Sequence, residues 1–209
     1  MALFITLEGG EGSGKSVQAK ALYKKLSQSA IPALLTHEPG GTSFGDRIAR
    51  WLKWTEGMDI SPLTELLLFN ASRAQLVAAV ILPSMKEGKV VICDRYTDST
   101  TAYQSYGRGL DLEMVEAVND AATQGLKPDL TVLLDISIEE GLARKSASKQ
   151  DRFEREAIAF HHRVREGYLK MASDAPGRWL IIDATLAKDQ IQKTVWRRVS
   201  QLLPGGGGQ

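Results

Sequence analysis

Five short apolar runs punctuate the chain: FITLE (4–8), ALLT (33–36), KVVICD (89–94), LTVLLD (130–135) and WLIID (179–183). Each is too short for a helix and rich in Val, Ile and Leu, so each reads as a buried strand. Between them, apolar residues recur at helical spacing over 17–29, 46–53, 62–85, 112–122, 138–145, 153–172 and 188–203. Strands alternating with helices predict an α/β fold, with a five-stranded parallel sheet covered by helices on both faces. No repeat and no internal linker interrupts the pattern, which makes 1–203 one domain and the glycine-rich end, PGGGGQ (204–209), a flexible tail.

Right-handed crossovers bring the strand C-termini to one edge, where sheets of this kind bind ligands. Glu8, Asp94, Asp135 and Asp183 close four strands there. The first strand runs into EGGEGSGKS (8–16), which places four glycines in six positions, followed by Lys15 and Ser16. Glycine costs about 0.5–1 kcal/mol more than alanine in regular structure, so the cluster marks backbone that must turn sharply or approach something closely. Gly9, Gly14, Lys15 and Ser16 fill the G-x-x-x-x-G-K-S pattern between a strand and a helix. In that context the backbone of Gly9, Gly10, Glu11, Gly12, Ser13 and Gly14 cradles a nucleoside triphosphate. Lys15 reaches its outer phosphates, and Ser16 can ligate Mg²⁺.

A second informative stretch is VVICDRYTDSTTAYQ (90–104). Its strand delivers Asp94 opposite Ser16, where a carboxylate can share the Mg²⁺, and Arg95 beside it suits a second phosphate group. In the helix over 62–85, Phe69 and Arg73 stand one turn apart on one face. By pattern alone Phe69 reads as core and Arg73 as a solvated or snorkelling side chain, although an aromatic plane beside a cation also suits a nucleobase. HEPGGT (37–42) is equally a plain turn or an acceptor loop. ARKSASKQDRFERE (143–156) concentrates Arg144, Lys145, Lys149 and Arg152; it reads as a solvated loop or as a basic lid over about 143–155. Trp51 and Trp54 are expected to cover core or a subunit contact.

Composition removes other classes. The 209 residues are 43% hydrophobic and 24% charged, with a net charge of +1, so neither a nucleic-acid-coating surface nor an acidic tail is indicated. Cys93 is the only cysteine, which excludes an intramolecular disulfide. The longest uninterrupted apolar stretch, 76–82, is far short of the roughly 20 residues that cross a bilayer, and no leader pattern precedes the first strand. A cytoplasmic protein without membrane association is expected. The three histidines lack metal-ligand spacing, so no zinc site is assigned.

Five ordered motifs carry a resemblance: EGGEGSGKS, EPGGT, ELLLFNASRAQ, DRYTDSTTAYQ with GRG (107–109), and DRFERE followed by FHHRVREGYLKMA. The chain resembles the bacterial thymidylate kinases over nearly its whole length. The resemblance implies the P-loop nucleoside monophosphate kinase fold with a lid, ATP and Mg²⁺, dTMP as acceptor, and a homodimer. It implies that Phe69 stacks on thymine, Arg73 and Thr100 meet the base edge, and Tyr103 underlies the sugar with Gln104 close by. Glu11 would approach the 3′-hydroxyl and Arg95 the acceptor phosphate, with Lys15 and the lid cations neutralising the transferred group, which leaves open whether Arg144, Lys145 or Lys149 reaches the phosphates. The family commonly has arginine where His37 stands, and a glycine and arginine pattern where this chain has SASKQ.

Overall fold

The computed structural model describes residues 2–54, 59–145 and 151–203. The five expected strands are β1 (Phe4–Glu8), β2 (Ala33–His37), β3 (Val90–Asp94), β4 (Leu130–Asp135) and β5 (Trp179–Asp183). They form one all-parallel sheet in the order β2-β3-β1-β4-β5. β1 lies at the centre and is buried throughout, whereas the edge strands β2 and β5 are only half covered. From β1 the chain crosses to β2, and from β3 it crosses to the opposite side, so the crevice opens between the ends of β1 and β3.

The helices are α1 (Lys15–Gln28), α2 (Ser43–Trp54), α3 (Pro62–Lys86), α4 (97–107), α5 (Leu112–Thr123), α6 (Ile138–Lys145), α7 (Ile158–Asp174) and α8 (Lys188–Leu202). Alternation along β1 builds two cores. Ile5 and Leu7 pack with Leu22 and Leu26 of α1 and Val195 and Val199 of α8. Phe4, on the other face, packs with Val91, Cys93 and Tyr96 and with Leu76, Val77 and Ile81 of α3. On that same side Leu133 of β4 meets Phe160, Val164 and Tyr168 of α7.

α3 matches the helix expected over 62–85, whereas two later elements depart from the sequence reading. α3 is long and apolar enough, by length and composition, to cross a bilayer. It is nevertheless a core helix, because Glu65 and Arg73 project from it into buried hydrogen bonds with the rest of the fold. Helix α4 had no sequence signal, since Thr and Ser are poor helix formers. Its polar side chains are drawn inward instead: Asp98 takes both Nη groups of Arg178 at 2.7 and 3.0 Å, and Thr100 accepts from Arg73 at 2.8 Å. Finally, the helix expected from 153 begins only at Ile158. Asp151 accepts the N–H groups of Phe153 and Glu154 at 2.9 and 3.0 Å, a local bond that competes with helical pairing.

Candidate active site

The glycine-rich loop leaves β1 at the crevice and enters α1 through Gly14, whose left-handed φ of 89° starts the helix. Two of its glycines are dictated by close approach. Gly9 has φ 140°, and a Cβ there would stand 2.4 Å from the Leu134 carbonyl oxygen of β4. Gly12 has φ 70°, and its Cβ would stand 2.0 Å from the carbonyl oxygen of Gly141 in α6. The loop is thus wedged between the end of β4 and the helix that leads to the basic segment.

Beside it lies a cleft of about 710 Å³ lined by the loop, the end of β2, one face of α3, residues of 94–104, the end of α6, and Asp151 and Phe153. Lys15 is buried and donates to the Gly10 carbonyl at 2.6 Å. Burial, and next the charge of Arg95, bring its pKa down to about 8. The Ser16 hydroxyl donates to Asp94 Oδ2, so the expected oxygen pair is in contact. Among the described residues no group of three or more His, Cys, Asp or Glu side chains could hold a metal ion. Two hard oxygen donors still fit Mg²⁺, which keeps water and takes substrate phosphate oxygens for its remaining positions.

The loop's own carboxylate organises the cations. Glu11 Oε1 accepts from Arg95 Nη2 at 2.7 Å and from the Tyr103 hydroxyl at 3.0 Å, while Lys145 Nζ lies 3.6 Å from Oε2. Burial raises the carboxyl's pKa, but Arg95, Lys15, Lys145 and the Tyr103 hydroxyl together outweigh it and hold it well below the usual range. Arg95 also stacks over the Tyr103 ring, with its guanidinium 5.3 Å from the centroid.

The α3 face settles part of the ambiguity left by the pattern. Arg73 is neither solvated nor snorkelling: it is 1% exposed. Its Nε donates to Glu38 at 2.8 Å and its Nη1 to Asn119 at 2.9 Å, while Nη2 donates to Tyr96 O at 3.2 Å and to Thr100. Phe69 is half-buried on the cleft wall, 5.7 Å from the Phe153 ring. Gln104 is buried and donates to Glu65 at 2.6 Å; Glu65 is fully buried and also pairs with Arg108 and Arg152. Trp51 and Trp54 are 61% and 44% exposed, so the core alternative for them is wrong. Arg144 lines the cleft, yet its guanidinium donates to Ala184 O, just beyond β5. Lys149 and the tail 204–209 lie outside the described residues.

A sequence model of the thymidylate kinase family matches residues 7–195. The chain belongs to the thymidylate kinase family. A thymidylate kinase of Dehalococcoides mccartyi is 53% identical over 203 residues, covering 97% of this chain and 98% of that one. Another from Trichlorobacter lovleyi is 46% identical over 200 residues, covering 92% and 94%. The crystal structure of the Ehrlichia chaffeensis thymidylate kinase superposes with a TM-score of 0.77 at 32% identity, covering 95% of this chain and 98% of that chain.

The thymidylate kinase fold also brings further side chains to the site. Of the candidate lid cations, Lys145 pairs with Glu154 and lies beside Glu11, whereas its neighbour Arg144 turns to the end of β5; consecutive helical positions point about 100° apart. Phe153 adds an aromatic wall beside Phe69 and Tyr103. Glu38 and Glu65 carry no local signal, because their partners are distant in sequence.

Proposed function

We propose the following division of work for the reaction of the thymidylate kinase family, the transfer of the γ-phosphoryl group of ATP to dTMP with Mg²⁺, giving ADP and dTDP for dTTP synthesis. The chain performs this transfer as a member of that family. The observation that carries the assignment is the convergence of Lys15, Arg95 and Lys145 around Glu11 at the mouth of the phosphate loop.

The acceptor phosphate is already ionised near neutral pH, so no strong general base is needed and catalysis is positioning plus charge neutralisation. The backbone of Gly9, Gly10, Glu11, Gly12, Ser13 and Gly14 holds the ATP phosphates, with Lys15 on the outer ones. Arg95 binds the dTMP phosphate and aims its oxygen. Phe69 stacks on thymine, Arg73 and Thr100 meet its edge, and Tyr103, with Gln104 behind it, walls the sugar while Glu11 takes the 3′-hydroxyl. Ser16 and Asp94 hold Mg²⁺, which, when bound, neutralises charge shared between the phosphates. A lid over about 143–155 adds cations; Lys145 supports this reading through its place beside Glu11, Arg144 serves the donor's side, and Lys149 is retained from the sequence alone. The enzyme works as a cytoplasmic homodimer, with the exposed tryptophans of α2 in the subunit contact, and neither nucleic acid nor membrane takes part.

The test is ADP formation with ATP and Mg²⁺ against dTMP, dUMP, UMP, dGMP, AMP, thymidine or no acceptor. Strong preference for dTMP is expected. Preference for another acceptor would overturn the roles of Phe69, Arg73 and Tyr103, and equal rates without acceptor would point to a nucleotide-hydrolysing switch.

A further inference from the structure

We propose that Glu8 is a positioning residue for the transfer: acting through Ser99 and Tyr168, it sets the Arg95 guanidinium toward the acceptor phosphate. The inference rests on the reading of Arg95 as the acceptor-phosphate ligand.

Glu8 ends β1 at the ligand edge, but it is fully buried and is not part of the cleft wall. Its carboxylate is turned beneath the site. Oε1 accepts the Tyr96 N–H at 2.7 Å, and Oε2 accepts from the Ser99 hydroxyl at 2.6 Å and the Tyr168 hydroxyl at 3.0 Å. The same two hydroxyls lie 3.0 and 3.3 Å from Arg95 Nη1, and 2.8 Å from each other. A guanidinium only donates and an ionised carboxylate only accepts. With Glu8 ionised the proton order is therefore fixed: Arg95 donates to the two hydroxyl oxygens, and each hydroxyl can donate to Glu8.

The backbone explains why such a brace is required. Arg95 has φ 72°, a left-handed conformation that costs a non-glycine residue roughly 1–2 kcal/mol. That bend returns the side chain over the phosphate loop, where Nη1 also reaches Gly9 O at 3.2 Å. Glu8 holds the bend twice. It binds the peptide N–H directly after Arg95, and through Ser99 and Tyr168 it binds the head group. Tyr168 comes from α7 and is 1% exposed, so the brace is anchored in the core.

Steady-state kinetics and dTMP titration calorimetry on Tyr168→Phe and Ser99→Ala test the inference. Tyr168→Phe keeps the ring packing and removes only the hydroxyl. Each variant is expected to raise KM and Kd for dTMP roughly fivefold to tenfold, the size of one net hydrogen-bond contribution, with KM for ATP and Tm little changed. In an Arg95→Ala background Tyr168→Phe should add nothing, as for any group that acts only through Arg95. Equal losses for dTMP and ATP, a loss that follows Tm, or a full effect of Tyr168→Phe without Arg95 would each overturn the brace. If Arg95→Ala is crippled while Tyr168→Phe, Ser99→Ala and Glu8→Gln all bind dTMP normally, the brace fails and the Arg95 reading stands. If Arg95→Ala itself binds dTMP normally, the Arg95 reading fails and the brace with it.

Discussion

Arg73→Ala separates the two duties the structure gives one side chain. Arg73 joins α3 to the chain after β2 through Glu38, to α4 through Thr100 and to α5 through Asn119, all inside the protein. Its removal leaves the Glu38 carboxylate buried without its cation; burial already raises that group's pKa and Arg73 is what opposes the rise. Among the described residues Glu38 Oε1 has no hydrogen-bond partner to compensate. Breaking a buried pair from one side costs about 3–5 kcal/mol. For a chain of this size each kcal/mol lowers Tm by roughly 2–4 °C, so a fall of about 6–20 °C is expected. Replacing both partners, Arg73→Met with Glu38→Leu, should recover most of that loss because no charge is left stranded. Thermal unfolding with and without ligands reads both duties. In the wild type, dTMP at a hundred times its Kd should stabilise by about 2.7 kcal/mol; in both variants that increment should shrink sharply while the ATP increment persists. A loss under about 1 kcal/mol for Arg73→Ala would refute the energetic argument, and an intact dTMP increment would refute base recognition by Arg73.

Three further outcomes are expected. Lys15→Ala should lower kcat by orders of magnitude while leaving Tm equal or higher, since Lys15 is a buried cation whose pKa is depressed by that burial; unaltered kcat would remove it from the mechanism. Gly12→Ala should weaken ATP binding at least tenfold, because its φ is 70° and the new methyl meets the Gly141 carbonyl oxygen at 2.0 Å. Gly10→Ala has open space around it and should unfold within about 0.5 kcal/mol of the wild type, so equal destabilisation of the two would contradict the close-packing argument. Glu8 should give stability a pH slope: burial and then Asp98 raise its pKa from 4.5 to about 7, against Ser99, Arg95 and the Tyr96 N–H. Below 4.5 it is protonated in folded and unfolded chains alike, and above about 7 it is ionised in both. Between these limits only the unfolded chain ionises, so the folded state loses up to roughly 3 kcal/mol as pH rises. Urea unfolding of wild type and Glu8→Gln should therefore diverge from pH 4.5 to pH 8 in favour of the variant, and a constant difference would refute the assignment.

The sheet was legible because five apolar runs leave no other choice for buried strands, and the phosphate loop was legible because glycine spacing, a strand and a helix all agree. Helix α4 was not, and the reason is physical: its Thr100, Thr101 and Asp98 side chains are held by Arg73, Asn119 and Arg178, which sit far away in sequence. The same holds for the carboxylates. Glu65 stands in the first turn of α3, where a negative charge suits the helix N-terminus on the surface of any protein. Nothing local distinguishes that ordinary position from a fully buried one whose carboxylate gathers Gln104, Arg108 and Arg152. Motif reading recovered side chains that face the nucleotides, since those keep fixed spacings from the phosphate loop or strand ends. It assigned no role to Glu8, Glu38 and Glu65, whose partners lie behind the site. These residues hold Arg95, Arg73 and the 151–156 segment in place, so the unread part of the sequence is the part that orients the groups the motifs name.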